Sequence, residues 1–158
     1  MSDRIYSKRV KEVMSRDLVS IEAGSTVHEA LQLMAENSVS VLPVVDSRGH
    51  CVGMFSTTDV VAVARDLDDD LMYTDVSSEA SGRWLLGKLS DSLGMEKIDG
   101  LMSEDVSTVN PDTLLTAAAQ QMLRNRVHRL PVVDGTDRLT AIISTMDILE
   151  ALVDGAPD

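Results

Sequence analysis

The sequence predicts a mixed α/β (α+β) fold in which two similar halves pack face to face about a pseudo-two-fold axis. The first observation is an internal repeat, because residues 14–59 return as residues 102–147 at a constant offset of 88 positions without gaps. The second is composition: apolar residues make up 44% of the chain but aromatic residues only 3%, so aliphatic side chains and Met must build the core. Two copies are too few for a solenoid. A face-to-face pair creates clefts, where ligands commonly bind.

A capping box and an apolar stripe predict the first helix of the first copy. Residues 19–21 predict a short extended segment, and Thr26 with Glu29 then forms a capping-box pattern that begins the helix. Apolar residues follow with the spacing i, i+3, i+4, i+7, which is typical of one buried helix face. They are Val27, Ala30, Leu31 and Met34, and 88 positions later Leu115, Ala118, Ala119 and Met122.

A β-hairpin is predicted next in both copies. In the first copy, residues 41–45 and 51–55 are rich in Val and other strand formers and flank a turn sequence that contains Asp, Ser and Gly. Residues 130–133 and 139–143 repeat this pattern in the second copy. The hairpins are followed by helices predicted at residues 57–65 and 145–152.

Charge and composition exclude several classes of partner. The formal net charge of −12, from 26 acidic and 14 basic residues, repels nucleic-acid backbones and anionic membranes, so no nucleic acid and no membrane partner is expected. Cys51 is the single cysteine, which rules out an intramolecular disulfide and fits a reducing compartment. No signal peptide and no apolar run of membrane-spanning length is present. We expect a cytoplasmic protein.

The sequence gives little support to catalysis or metal binding. The three histidines, His28, His50 and His128, lack the spacing of metal ligands. Neither a Gly-x-Ser-x-Gly nucleophile motif nor a Walker-type glycine loop is present. We therefore expect no enzyme activity, no catalytic residue and no metal site.

The order of elements, β-α-β-β-α in both copies, and three duplicated motifs resemble the tandem cystathionine-β-synthase (CBS) domains. The motifs are the Val/Leu-Met-Ser entrances at residues 13–15 and 101–103, the Leu-Pro-Val-Val-Asp strands at 42–46 and 130–134, and the strand-to-helix segments at 53–59 and 141–147. The resemblance implies one intertwined module. Its parts are repeat 1 at residues 7–65, a connecting helical and acidic insert at 66–98, and repeat 2 at 99–153.

The resemblance also implies a regulatory module that binds adenosine-containing ligands such as AMP, ADP, ATP or S-adenosylmethionine, without a catalytic cofactor. In each of two clefts, the Ser of a Ser-x-x-Asp motif lies near phosphate and the Asp holds the ribose hydroxyls. The entrance segment of the other copy lines the adenine. Carried over, the first cleft consists of Ser144, Asp147, His128, Arg129, Met14, Asp17, Val19 and Val39. The second consists of Ser56, Asp59, Met102, Asp105, Ser107 and Val127.

The chemistry of the Ser-x-x-Asp motif is consistent with this implication and also with a simpler one. Ser56 and Ser144 each stand at a predicted strand-to-helix junction, where free backbone N–H groups and the helix dipole favour an anion. A carboxylate there can accept two hydrogen bonds from a vicinal diol. The same pattern is also a plain capping box that needs no ligand.

Cationic residues distinguish the second copy from the first. Arg124, Arg126, His128 and Arg129 surround the second Leu-Pro-Val-Val strand, whereas the positions 88 residues earlier hold Glu36, Ser38, Ser40 and Val41. Guanidinium groups match phosphate oxygens in charge and geometry. We interpret the His-Arg pair as a phosphate contact, and the two earlier arginines as a solvated helix end.

The insert at residues 66–98 resembles neither repeat. Its Asp66 and Asp68 to Asp70 lack the spaced ligands of a calcium loop, so we interpret them as a solvated acidic turn. Trp84, the only tryptophan, is interpreted as packing against the repeats, with a dimer contact as the alternative.

Three functions remain after these exclusions: a ligand-binding regulatory module, a dimerisation or scaffold protein with degenerate clefts, and a small nucleotide hydrolase. The first is our hypothesis. We also expect a homodimer, because CBS pairs resemble half-discs that pair into a module and because the Met- and Leu-rich helices have apolar faces. The regulated partner would be a separate, unidentified protein.

Overall fold

The computed structural model describes residues 3–67 and 94–155, which include both repeats. Trp84 and Asp68 to Asp70 of the insert lie outside these residues. The helices are α1 (Asp3–Ser7), α2 (Val27–Asn37), α3 (Thr57–Leu67), α4 (Leu115–Asn125) and α5 (Thr145–Asp154). The strands are β1 (Ile21–Glu22), β2 (Val41–Val45), β3 (Cys51–Ser56), β4 (Arg129–Val133) and β5 (Leu139–Ser144). The predicted mixture of helices and strands is confirmed.

The predicted capping box at the start of α2 forms. Thr26 Oγ1 accepts a hydrogen bond from the backbone N–H of Glu29 at 3.2 Å, and Glu29 Oε2 accepts one from the N–H of Thr26 at 2.8 Å. Val27, Ala30 and Met34 of the predicted stripe are buried. Leu31, the fourth member, is only partly buried at the edge of the core.

Helix α4 begins differently although it occupies the same place in the second copy. Its N-cap is Leu114, whose side chain cannot accept a hydrogen bond. The N–H of Leu115 instead donates to the carbonyl oxygen of Lys8 at 2.9 Å, and the matching N–H of Val27 donates to that of Glu96 at 2.8 Å. Residues at the start of one repeat, or just before it, therefore accept the first N–H of the first helix of the other repeat.

The chain forms two compact units, each with its own core. Unit 1 consists of residues 1–18, 45–51 and 105–158, and unit 2 of residues 19–44 and 52–104. Leu115, Leu130 and Ile143 are among the fully buried side chains of unit 1, and Leu42, Phe55 and Ile98 among those of unit 2. Both cores are mainly aliphatic, as the composition predicts.

The entrance segment of each repeat pairs with a strand of the other repeat. Ser15 forms an antiparallel bridge to Ile142 of β5, with hydrogen bonds of 2.9 and 3.1 Å, inside unit 1. Inside unit 2, Ser103 forms the equivalent bridge to Met54 of β3, with two hydrogen bonds of 2.9 Å. The units therefore do not follow the repeat boundaries, because residues 1–18 belong with repeat 2.

The strands form one three-stranded sheet, in the order β1-β2-β3, and one two-stranded sheet, β4-β5. The hydrogen-bonded strand β1 begins at Ile21, two residues after the start of the predicted extended segment. In the second copy, the position equivalent to Ile21 is Val109, which forms only an isolated parallel bridge to Val132. Among the described residues, no helix has the length and hydropathy needed to cross a bilayer.

Candidate functional site

Ser144 and Asp147 form a reciprocal capping box at the start of α5. The carboxylate Oδ2 of Asp147 accepts a hydrogen bond from the N–H of Ser144 at 2.8 Å, and Ser144 Oγ accepts one from the N–H of Asp147 at 3.2 Å. Both residues are partly buried. No described residue donates to the second carboxylate oxygen, Oδ1, which can still accept a ligand hydroxyl.

Arg129, the first residue of β4, and His128 just before it lie beside this helix start. Arg129 lies directly opposite Ser144 in the antiparallel register of β4 and β5, where Cα atoms are typically about 5 Å apart. The carbonyl oxygen of His128 accepts a hydrogen bond from the N–H of Thr145 at 2.9 Å. Both side chains are exposed, and neither forms an ion pair with a described residue. They are therefore available to an anionic group at the N-terminus of α5.

One free backbone donor completes this arrangement. The N–H groups of Thr145 and Asp147 already have acceptors, whereas no described residue accepts a hydrogen bond from the N–H of Met146. Such an orphan donor in the first helical turn is a characteristic partner of bound anions. We refer to Ser144, Asp147, His128, Arg129 and Met14 as the Ser144 site.

The entrance segment of repeat 1 lies along the other edge of β5. In the antiparallel bridge of Ser15 to Ile142, Met14 lies toward the Ser144 end of the strand and Asp17 toward its start. Met14 packs against the core of unit 1. Asp17 is exposed and accepts no hydrogen bond from a described residue. Along β5, Met14 is therefore nearer to Ser144 than Asp17 is.

Ser56 and Asp59 repeat the capping box at the start of α3. Asp59 Oδ2 accepts hydrogen bonds from the Ser56 N–H at 2.8 Å and from its hydroxyl at 3.1 Å. The N–H of Asp59 donates to Ser56 Oγ at 3.3 Å. Because the Ser56 hydroxyl proton is directed to the carboxylate, it is less available to a ligand than that of Ser144, for which no such bond forms.

Ser40 and Val41 occupy the place that His128 and Arg129 occupy in the second copy. The carbonyl oxygen of Ser40 accepts a hydrogen bond from the N–H of Thr57 at 3.1 Å, as that of His128 does from Thr145. This position therefore carries no cation. We refer to Ser56, Asp59, Ser40, Val41 and Met102 as the Ser56 site.

Gly53 allows Met102 to lie close against β3. A Cβ atom at Gly53 would lie 2.6 Å from the Met102 Sδ and 3.0 Å from the carbonyl oxygen of Ser103. The equivalent position in β5 is Ala141, which is buried and already carries a Cβ atom. The thioether of the entrance segment can therefore approach the strand more closely in unit 2 than in unit 1.

The other predicted site residues lie in the unit that does not hold their Ser-x-x-Asp motif. Val19 and Val39 pack against the core of unit 2. Asp105, Ser107 and Val127 belong to unit 1. Asp105 is exposed, and the Ser107 hydroxyl accepts a hydrogen bond from a neighbouring asparagine amide at 2.8 Å.

The two hairpin turns form a charged cluster that sequence reasoning did not identify. Asp46 Oδ1 accepts hydrogen bonds from the N–H groups of Arg48 and His50, and Asp134 Oδ1 accepts from those of Thr136 and Arg138. The hydrogen bond from the His50 N–H is the main cause that lowers the pKa of Asp46. The pKa of Asp134 is lowered mainly by a hydrogen bond from the Thr136 side chain and next by one from the Thr136 N–H. The available signal was the Asp that follows each Leu-Pro-Val-Val strand, at the constant offset of 88 residues.

Comparison with known proteins supports the arrangement of two repeats. The CBS domain family matches the chain twice, over residues 10–66 and 97–154. Inosine-5′-monophosphate dehydrogenase from Methanocaldococcus jannaschii is 31% identical over 143 residues, which cover 90% of this chain but only 23% of that enzyme. The chain therefore spans about a quarter of the length of this relative.

Solved structures share the fold over nearly the whole chain. CBSX2 of Arabidopsis thaliana in complex with AMP is 26% identical with a TM-score of 0.70, and the match covers 92% of this chain and 96% of that one. The CBS domain pair of protein MJ0100 in complex with 5′-methylthioadenosine and S-adenosyl-L-methionine has a TM-score of 0.67 at 19% identity, over 94% and 98% of the two chains. Since the family matches at both repeats and the described elements follow its order, the chain belongs to the CBS domain family.

Proposed function

We propose that this chain is a non-catalytic regulatory module whose Ser144 site binds an adenine nucleotide. The observation that carries the proposal is the position of Arg129, opposite Ser144 and at the N-terminus of α5. A phosphate there would meet a guanidinium group, an imidazole and a free backbone N–H. The second oxygen of the Asp147 carboxylate would accept ribose hydroxyls.

The solved relatives support the class of ligand. CBSX2 binds AMP, and the CBS pair of MJ0100 binds 5′-methylthioadenosine and S-adenosyl-L-methionine. Adenosine is common to all three molecules. In this chain, the exposed His-Arg pair favours the phosphorylated member of that class, because charge-assisted hydrogen bonds to phosphate are strong.

In this proposal the chain forms a homodimer, and ligand binding changes how that homodimer interacts with a separate regulated protein. Helix α5 has an apolar face that the described part of the chain leaves uncovered: Met146, Leu149 and Val153 are 61%, 51% and 72% exposed. These side chains have the spacing i, i+3, i+7, so they lie along one face of the helix. Because this helix begins at the Ser144 site, a contact on its face would respond to changes at the ligand.

A scaffold protein without ligand is the second candidate. It is favoured by the closed capping boxes, since both Ser-x-x-Asp motifs are satisfied by their own backbone. In that case the apolar face of α5 would be the functional surface and the His-Arg pair would have no ligand.

A thermal-shift screen separates the two functions. A ligand at about 100 times its Kd stabilises a protein by roughly 2.7 kcal/mol, which at ~2–4 °C per kcal/mol raises the Tm by roughly 5–10 °C. We expect such a rise with AMP, ADP or ATP. A Tm that does not change with millimolar AMP, ADP, ATP or S-adenosylmethionine would leave the scaffold, and release of phosphate during incubation would indicate a hydrolase.

A further inference from the structure

Helices α2 and α4 end with the same backbone but with different side chains. In both repeats the residue that follows the helix is left-handed, with a φ of 54° at Ser38 and at Arg126. The hydrogen bonds that close the two helices also match, at 3.4 and 3.0 Å in each repeat. At equivalent positions the first repeat has Ala35, Glu36 and Ser38, and the second has Leu123, Arg124 and Arg126. The side chains alone therefore give the end of α4 its own surface.

The end of α4 is exposed and positively charged. Leu123 is 79% exposed, and the side chains of Arg124 and Arg126 are exposed as well. Residues 113–133 include three arginines and no acidic residue, in a chain whose formal net charge is −12. We refer to Leu123, Arg124 and Arg126 as the arginine patch. An apolar side chain beside two guanidinium groups is complementary to a surface that combines apolar residues with carboxylates.

Helix α5 carries a surface of that complementary kind. An open groove along this helix is lined by three apolar and two acidic side chains, which are Met146, Leu149, Val153, Glu150 and Asp154. The helix contains three acidic residues and no basic one. Two α5 faces packed against each other would therefore bring like charges together. Cations at the edge of such a contact would remove the repulsion.

The arginine patch and the acids of α5 do not neutralise each other within one chain. Helices α4 and α5 pack together in unit 1. In the described part of the chain, the basic and acidic side chains that approach within 4 Å are Lys11 with Asp112 and His50 with Asp46, and none joins α4 to α5. Both surfaces are therefore available to a second molecule, and a second copy of this chain provides the complement of each.

We propose that in a homodimer the arginine patch of one copy pairs with Glu150 and Asp154 of the other copy, and reciprocally. The apolar faces of the two α5 helices meet between these pairs, and Leu123 extends them. Because the contact is isologous, each ion pair forms twice. The patch lies just before His128, and α5 begins at Ser144, so both halves of the contact adjoin the Ser144 site. This inference rests on the homodimer of the proposed function.

Two charge-reversed variants of the full chain test the contact between copies. Arg124→Glu/Arg126→Glu makes the patch acidic, and Glu150→Arg/Asp154→Arg makes α5 basic. All four side chains are exposed, and Glu36 already occupies the position equivalent to 124 on the same backbone. Both variants should therefore fold, which circular dichroism checks. Sedimentation velocity then measures the mass of each variant alone and of their equimolar mixture.

Each variant alone would place like charges at every such contact. Since exposed pairs contribute little singly but four are reversed in each dimer, the dimer dissociation constant should rise about 10- to 100-fold. In the mixture, an acidic patch meets a basic α5 and a basic patch meets an acidic α5, so a heterodimer should form. Arg16→Glu/Arg48→Glu is the matched control. It changes the net charge as the patch variant does, in unit 1 but outside α4 and α5, and should leave the dimer intact.

A neutral variant, Arg124→Gln/Arg126→Ser, covers the case in which a reversed variant does not fold, and it should weaken the dimer at least ~3-fold. Patch variants that dimerise as tightly as the wild type, or a mixture of folded reversed variants that stays monomeric, would overturn the inference while the homodimer stands. The end of α4 would then be left to an acidic partner other than this chain. A monomeric wild type would instead contradict the homodimer of the proposed function itself.

Discussion

Single residues decide how the two repeats differ, and Gly53 shows this most directly. Because Gly53 has no Cβ atom, Met102 and the Ser103 carbonyl can lie close to β3. A Cβ atom at this position would be 2.6 Å from the Met102 Sδ and 3.0 Å from the Ser103 carbonyl oxygen. The repeat pattern alone did not indicate this contact, since Gly53 and Ala141 are both ordinary small residues in strands. Only the pairing of β3 with the entrance segment shows why the first copy has glycine.

We expect Gly53→Ala to destabilise the protein by about 1–3 kcal/mol, the usual cost of an overpacked core. The flexible Met102 side chain can move, but the Ser103 backbone oxygen is held by its bridge to Met54. Urea denaturation of Gly53→Ala measures the change in the free energy of unfolding. Gly135→Ala is the matched control, because no atom lies within 4 Å of a Cβ there. Equal midpoints for the two variants would show that Met102 does not constrain this strand.

The hydrogen-bonded aspartates of the hairpin turns should make the stability of the folded protein depend on pH. Hydrogen bonds lower the pKa of Asp134 from its usual value, first the one from the Thr136 side chain and then the one from the Thr136 N–H. A carboxylate with a lowered pKa in the folded state stabilises the protein above its unfolded pKa, and this contribution is lost as the pH falls through the folded value. The difference in urea midpoint between wild type and Asp134→Asn should therefore be largest near pH 7 and narrow below about pH 4.

Asp105→Asn provides the control for this pH series, since the Asp105 carboxylate is exposed and accepts no hydrogen bond from a described residue. Its midpoint difference from the wild type should be smaller at pH 7 than that of Asp134→Asn. A difference for Asp134→Asn that stays constant from pH 7 to pH 3 would contradict the role of its ionised carboxylate in the turn.

At the scale of elements, local patterns predicted more than long-range pairing did. Neighbours in sequence determine the Thr26 capping box, the apolar stripes of α2 and α4 and both hairpins. The structure confirms the capping box, the hairpins and three of the four residues in each stripe, while Leu31 and Ala119 are only partly buried. The sequence did not predict that Lys8 and Glu96 satisfy the first N–H groups of α4 and α2. Such contacts join residues about 70 to 107 positions apart, and no periodicity in a single sequence encodes them.

The start of α2 tests how much a local cap contributes beside such distant contacts. Thr26→Ala removes the acceptor of the Glu29 N–H and should destabilise the protein by about 1 kcal/mol. Thr26→Ser retains the acceptor and should change the stability by much less. Chemical denaturation of both variants makes the comparison. If Thr26→Ser were as destabilised as Thr26→Ala, packing of the threonine methyl rather than the capping hydrogen bond would stabilise this helix.

For the whole molecule, the uncovered face of α5 predicts a homodimer. Exposed apolar side chains in contact along one helix commonly mark an interface, and an isologous contact would place two such faces together. Light scattering should give twice the chain mass of 17.1 kDa at micromolar concentration. Leu149→Glu/Val153→Glu should dissociate the dimer, because it buries two unpaired charges in each copy.

Met95→Glu is the control for the dimer. Met95 is 85% exposed but lies outside α5, so the same kind of charge there should leave the mass unchanged. A monomer mass for the wild type, or dimers for both variants, would contradict the assignment of α5 to the interface.

We propose that AMP binds at the Ser144 site, where Arg129 lies opposite Ser144. Calorimetric titration of AMP into wild type, Arg129→Ala, Asp147→Ala and Asp59→Ala tests it directly. Hydrogen bonds to charged groups contribute roughly 1.5–3 kcal/mol, so Arg129→Ala and Asp147→Ala should each weaken AMP binding about 10- to 100-fold. Asp59→Ala, in the copy without cations, should change it little. Equal losses for Asp59→Ala and Asp147→Ala, with none for Arg129→Ala, would contradict the claim.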